Sequence, residues 1–278
     1  MPSREQTISD AIEIFEAAIY PSGLQLETAW LGIYQTLLWY EPVNWLGFTF
    51  LPHIIDADKL RPSNRARQAT WTNPSIWQSR ASLLSNYLAK QLNCSADDLP
   101  QKVNLLMRHA SYDGMQPHNS RGIAFAGLVK HVLEKFGSRV FSYAVEVEAS
   151  TIFPGITVPG RSTTPRIDLL VSRNNIPVAV ISSKWSLRHD RVNNITNECP
   201  VYKAAYTRVY RQESRNQLLY FLVTNEYDPS RLKKVISDSC IDGVIHVHKT
   251  AVVDVCGLGK NLSELQDLTD LVWATSTW

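Results

Sequence analysis

Apolar and polar positions repeat along this chain in two rhythms, and the switches between them predict most of its elements. The plainest pattern is a pair of β-branched runs, Ile167 to Val171 and Val178 to Ile181, with the polar turn Ser172-Arg173-Asn174-Asn175 close behind the first. Two such runs around a short polar turn predict a β-hairpin. Further strands are expected over 140–147, 218–224 and 243–248. Helical spacing, with apolar residues recurring at three and four, covers 7–19 through Ile8, Ala11, Ile12, Phe15 and Ile19, where Pro21-Ser22-Gly23 ends it. The same spacing predicts helices over 27–40, 78–92, 121–136 and 229–237. Pro200 is tolerated in a first helical turn, so a further helix is expected to start near Glu198 and run past Tyr210. The alternation of strands and helices implies an α/β fold, a mixed central sheet flanked by helices. A mainly helical N-terminal region is read over 1–100 and the core over 101–278.

Chemistry enters at the hairpin. Its second strand carries Lys184 back to Asp168, and a carboxylate beside an ammonium at a strand end suits a hard divalent cation. Asp168 would give oxygen to the metal while Lys184 steadies a nucleophilic water or developing negative charge. The plainer reading is an ion pair closing a strand. Beyond the lysine come Arg188-His189-Asp190-Arg191 and, fourteen residues after Lys184, Glu198.

These residues resemble the PD-(D/E)xK nucleases, and within them the type II restriction endonucleases that cut CCGG, CCNGG and CCWGG sites. That branch replaces the acid before the lysine by serine and moves a glutamate to the following helix. Ser182-Ser183-Lys184 and Glu198 match it, and Arg188 to Arg191 matches the R-x-[DE]-R that follows the lysine. The match covers about thirty residues. It implies a restriction-endonuclease-like core, Mg²⁺ held by Asp168 and Glu198, Lys184 at the attacking water, and Ser182 as a bystander in the vacated position. Base reading would fall to Arg188, Asp190 and Arg191, because guanidinium forks suit guanine N7 and O6 and a carboxylate accepts from cytosine N4. The family's helix before the first strand commonly adds an acid, but the aligned residues are Ala126 and Gly127. Glu134, Glu146 and Glu148 are the substitutes considered for a second metal.

Composition adds bounds. Net charge is +2 with 28 Lys and Arg, so any DNA-binding surface must be a local cluster. One such cluster is the basic loop of Lys59, Arg61, Arg65, Arg67 and Arg80, interleaved with Trp71 and Trp77. It is read equally as a phosphate-contacting arm near 59–80, with a tryptophan stacking on a flipped base, or as a solvated loop. Four scattered cysteines without a C-x-x-C pair argue against a zinc site and a secreted disulfide scaffold, and for a reducing cytoplasm. His246 and His248 lack a third ligand nearby and read as strand histidines. No run is long enough to span a bilayer. The expectation is a cytoplasmic, Mg²⁺-dependent homodimer, or a higher oligomer, cutting double-stranded DNA at a palindrome with CC and GG steps. A cognate DNA methyltransferase would belong to the same system without binding it. The rival readings are a structure-specific repair or recombination nuclease, and an inactive scaffold that only binds DNA.

Overall fold

The structure is a computed structural model that describes residues 3–13, 15–16, 25–30, 32–33, 89, 94–95, 97–98, 118–159, 165–185, 187, 189–210, 217–226, 229–256 and 264–278. Its centre is a six-stranded sheet whose strands lie side by side in chain order. These are β1 (Ser142–Glu148), β2 (Arg166–Arg173), β3 (Ile176–Lys184), β4 (Leu219–Thr224), β5 (Gly243–His246) and β6 (Leu265–Asp267). The first three pair antiparallel and the rest continue from β3 in parallel, so the sheet is mixed as expected. Between β2 and β3 the chain turns on Asn174 and Asn175, at φ 50 and 65. Both values are left-handed, the conformation a two-residue hairpin turn demands and asparagine tolerates. β6 was not foreseen, because Leu265-Gln266-Asp267 offers one apolar residue in three.

Seven α-helices are described: α1 (Arg4–Glu13), α2 (His118–Phe136), α3 (Ala149–Ile152), α4 (His189–Tyr210), α5 (Pro229–Ile236), α6 (Lys249–Cys256) and α7 (Leu268–Ala274), with a 3-10 turn at Leu26–Thr28. α2 buries Ala124, Phe125, Leu128, Val129, Val132 and Leu133. It packs on β1, β2 and β3, and α1 packs on it. Gly127 explains the close approach of those two helices, since a Cβ there would lie 2.8 Å from Cγ2 of Ile8. The place where the resemblance expects an acid is therefore given to helix packing. Ala11, Phe15, Ala29 and Ile33 join the same apolar core as the sheet. Apart from Ala89, the helix expected over 78–92 lies outside the described residues, as does the division near residue 100.

Two expectations need correction. α4 begins at His189, not near Glu198, and Pro200 is inside it. Its first half, rich in Asn and β-branched residues, is a poor helix former alone and is held by burying Val192 and Ile195. The second concerns the cysteines: Cys199 of α4 is bonded to Cys240 in the turn before β5, while Cys94 is free. That pairing departs from the unpaired cysteines of a reducing compartment. Among the described residues no helix is long and apolar enough to cross a membrane.

Candidate active site

β2 and β3 bring Asp168 and Lys184 together at the end of the hairpin. Oδ2 of Asp168 accepts from the Lys184 ammonium, from the Ser183 backbone N–H at 2.8 Å and from the Ser182 hydroxyl at 3.2 Å. Lys184 is only 7% exposed. An ammonium that buried survives because it is paired and its partner carboxylate is itself hydrogen-bonded. Lys184 lies at the C-terminal end of β3, beside Thr224 of the parallel neighbour β4.

Glu198 reaches the same place from α4. Ile195, Glu198 and Tyr202 recur at three and four, so they share the helix face turned toward the sheet, and Glu198 is 4% exposed. Tyr220 of β4, which the sequence offered only as one more apolar strand residue, donates its hydroxyl to Glu198 Oε2 at 3.4 Å. Burial first, and then the Glu198 charge, push the Tyr220 phenol well above its ordinary range. It therefore stays a neutral donor. Ser182, whose hydroxyl proton goes to Asp168 at 3.2 Å, stands beside the Tyr220 phenol.

Of the three acids considered for a second metal, Glu146 is the one that faces Asp168. The β1–β2 ladder steps from Val145 opposite Leu169 to Val147 opposite Ile167, leaving Glu146 and Asp168 across from each other. Glu146 has φ 54, a left-handed backbone in mid-strand that costs roughly 1–3 kcal/mol. Burial and then the Asp168 charge raise its pKa, while Arg4, Arg166 and Lys184 pull the other way. Arg4 pairs with it at 3.0 Å. Glu134 is exposed and pairs with Lys130 at 2.7 Å. Glu148 accepts from the Ser150 hydroxyl at 2.6 Å.

The segment after Lys184 is pinned from below. Leu187 N–H donates to Glu226 Oε2 at 2.7 Å, Asn225 N–H donates to the Trp185 carbonyl at 3.1 Å, and Trp185 packs edge-on to Phe125. α4 starts from this anchor. Arg191 is half-buried in its first turn, seven residues before Glu198 and so on the same face, about 10 Å along the axis. Asp190 belongs to that turn by its backbone. Arg188, and the loop residues Arg61, Arg65, Arg67, Trp71 and Trp77, lie outside the described residues.

His246 and His248 are structural. His246 Nε2–H donates to the Glu226 carbonyl at 3.1 Å and its Nδ1 accepts from His248 N–H at 3.0 Å. Burial holds His246 down to about 3 and His248 to about 4. His248 stacks on Trp30.

Among the described residues no three or more His, Cys, Asp or Glu side chains converge as a metal cage. Mg²⁺ is commonly held by one or two carboxylates together with waters and substrate phosphates. Asp168 and Glu198, both oxygen donors, the one held by Ser182 and the other by Tyr220, are a donor set of that kind.

No family model matches the chain, and no curated protein matches it. Among solved structures, Bse634I restriction endonuclease aligns at TM-score 0.36 and 13% identity, covering 62% of this chain and 84% of that one. A likeness that slight has no bearing on activity.

Proposed function

We propose that this chain is a Mg²⁺-dependent type II restriction endonuclease, hydrolysing phosphodiesters of double-stranded DNA at a palindrome that contains CC and GG steps. The observation that carries the reading is the grouping of Asp168, Lys184 and Glu198, the last two nearly fully buried, around Ser182 and Tyr220. A strand-closing ion pair needs no second buried carboxylate.

Asp168 and Glu198 are the residues that would hold Mg²⁺, which supplies Lewis acidity toward the phosphate and lowers the pKa of a water. Lys184, paired with Asp168, is placed to orient the attacking water and to stabilise negative charge on the phosphoryl oxygens. Ser183 N–H fixes Asp168 from the backbone, so the carboxylate is oriented before substrate arrives. Arg188, Asp190 and Arg191 then read bases, the last two from the first turn of α4, a helix that carries Glu198 farther along, so their part of recognition shares one element with the chemistry. One such site per chain cuts one strand, and two antiparallel strands call for a homodimer or a higher oligomer.

The test is digestion of a plasmid library with and without Mg²⁺, followed by sequencing of the ends. Ends sharing one CC/GG palindrome support the reading. Cutting at junctions or flaps without a shared sequence would favour a structure-specific nuclease, and binding without cutting would favour an inactive scaffold.

A further inference from the structure

We propose that Tyr220 is the positioning residue of this site, fixing the Glu198 carboxylate through Oε2. The proposal rests on the reading of Glu198 as a metal carboxylate. Tyr220 is fully buried in β4, so its hydroxyl must find its partner inside the protein, and that is Glu198 at 3.4 Å. A contact of that length is at the long end of hydrogen bonding, and its worth lies in direction.

The ring is held so that the direction is fixed. It stacks on Tyr202, one helical turn beyond Glu198, with centroids 6.3 Å apart and planes 23° apart. Its backbone N–H donates to Asp242 Oδ2 at 2.7 Å, and Asp242 pairs with Lys203 of α4 at 2.7 Å. Tyr202 and Lys203 thus hold α4 against Tyr220, and the phenol meets Glu198 from a surface that cannot shift alone. Phenylalanine would pack as well as tyrosine among these apolar neighbours. The hydroxyl is what the carboxylate requires, and at Ser182 the chain places another hydroxyl rather than a further charge. Asp168 and Glu198 are each held by a neutral hydroxyl, which restrains the carboxylate without competing for a cation.

The experiment measures Mn²⁺ binding, by the loss of its free electron-spin-resonance signal, in the full chain and in Tyr220→Phe, Glu198→Gln and the double variant. Mg²⁺ concentration for half-maximal cleavage is read alongside. Loss of an outer-shell partner weakens metal binding by about 10–100-fold, and Tyr220→Phe is expected at the lower end of that range, with the half-saturating Mg²⁺ rising in step. In the Glu198→Gln background the same change should cost nothing further. Wild-type Mn²⁺ affinity in Tyr220→Phe, with Glu198→Gln impaired, would overturn the proposal, as would an undiminished effect in the double variant, which would mean the ring acts by packing. Wild-type affinity in Glu198→Gln would instead overturn the reading of Glu198, and the proposal with it. If Tyr220→Phe does not fold, 3-fluorotyrosine at position 220 keeps the packing and makes a stronger donor. It is expected to change Mn²⁺ affinity, and unchanged binding would overturn the proposal.

Discussion

Reducing the Cys199–Cys240 disulfide removes one covalent tie and no side chain, which makes it a clean perturbation of the element that carries Glu198. The bond closes a loop with a sequence separation of 41. Loop closure on that scale restricts the unfolded chain by about 4 kcal/mol in the chain-entropy account. With a urea dependence of roughly 2–3 kcal/mol per molar, the unfolding midpoint should fall by about 1–2 M on reduction. The assay is urea unfolding followed by tryptophan fluorescence, with and without dithiothreitol. Cys240→Ala serves as the control, with a low midpoint indifferent to reductant. Thiol titration of the denatured, unreduced protein should find Cys199 and Cys240 unreactive. Four reactive thiols, or a midpoint that dithiothreitol leaves in place, would refute the pairing.

Acidification provides another test. His246 and His248 titrate near 3 and 4 in the fold against 6.5 unfolded, so their contribution is complete above about pH 6.5 and is lost as pH falls toward 4. The slope they add is at most about 2.7 kcal/mol per pH unit, and Glu146, whose raised pKa has the opposite sign, reduces it. His246→Gln should flatten the stability profile between pH 6.5 and 5, and an unchanged slope would contradict the assignment. For recognition, Arg191→Ala should weaken binding to a CC/GG duplex by about 1–3 kcal/mol while leaving binding to scrambled duplex nearly unchanged. Equal losses in a fluorescence-anisotropy titration would rule out base reading by Arg191.

The hairpin was legible because β-branched runs and an asparagine turn both act locally, and local preferences are written in sequence. Asp168 and Lys184 came with it. The start of α4 was not legible: Asn193, Asn194 and Thr196 disfavour a helix, and only burial of Val192 and Ile195 against the sheet decides otherwise. Pro200 then drew the expected boundary to the wrong place. Tyr220 was hidden among Leu219, Phe221 and Leu222, where a hydroxyl is invisible to a hydrophobic pattern. Glu146 could not be told from Glu134 and Glu148 because nothing in Val145-Glu146-Val147 signals a left-handed φ. Cysteine spacing carries no information about which distant turns fold together, so Cys199 and Cys240 could be matched only in three dimensions.

The central claim is that Lys184 serves the chemical step at a metal-dependent phosphodiesterase site. Its most direct test is single-turnover cleavage of supercoiled plasmid at saturating Mg²⁺ by wild type and by Lys184→Ala, with duplex binding measured in Ca²⁺. Wild type should linearise the plasmid, and the variant should bind duplex with similar affinity while cleaving at least about 100-fold more slowly, the lower end of what a positioned proton-handling group contributes. Cleavage by Lys184→Ala at the wild-type rate would contradict the account.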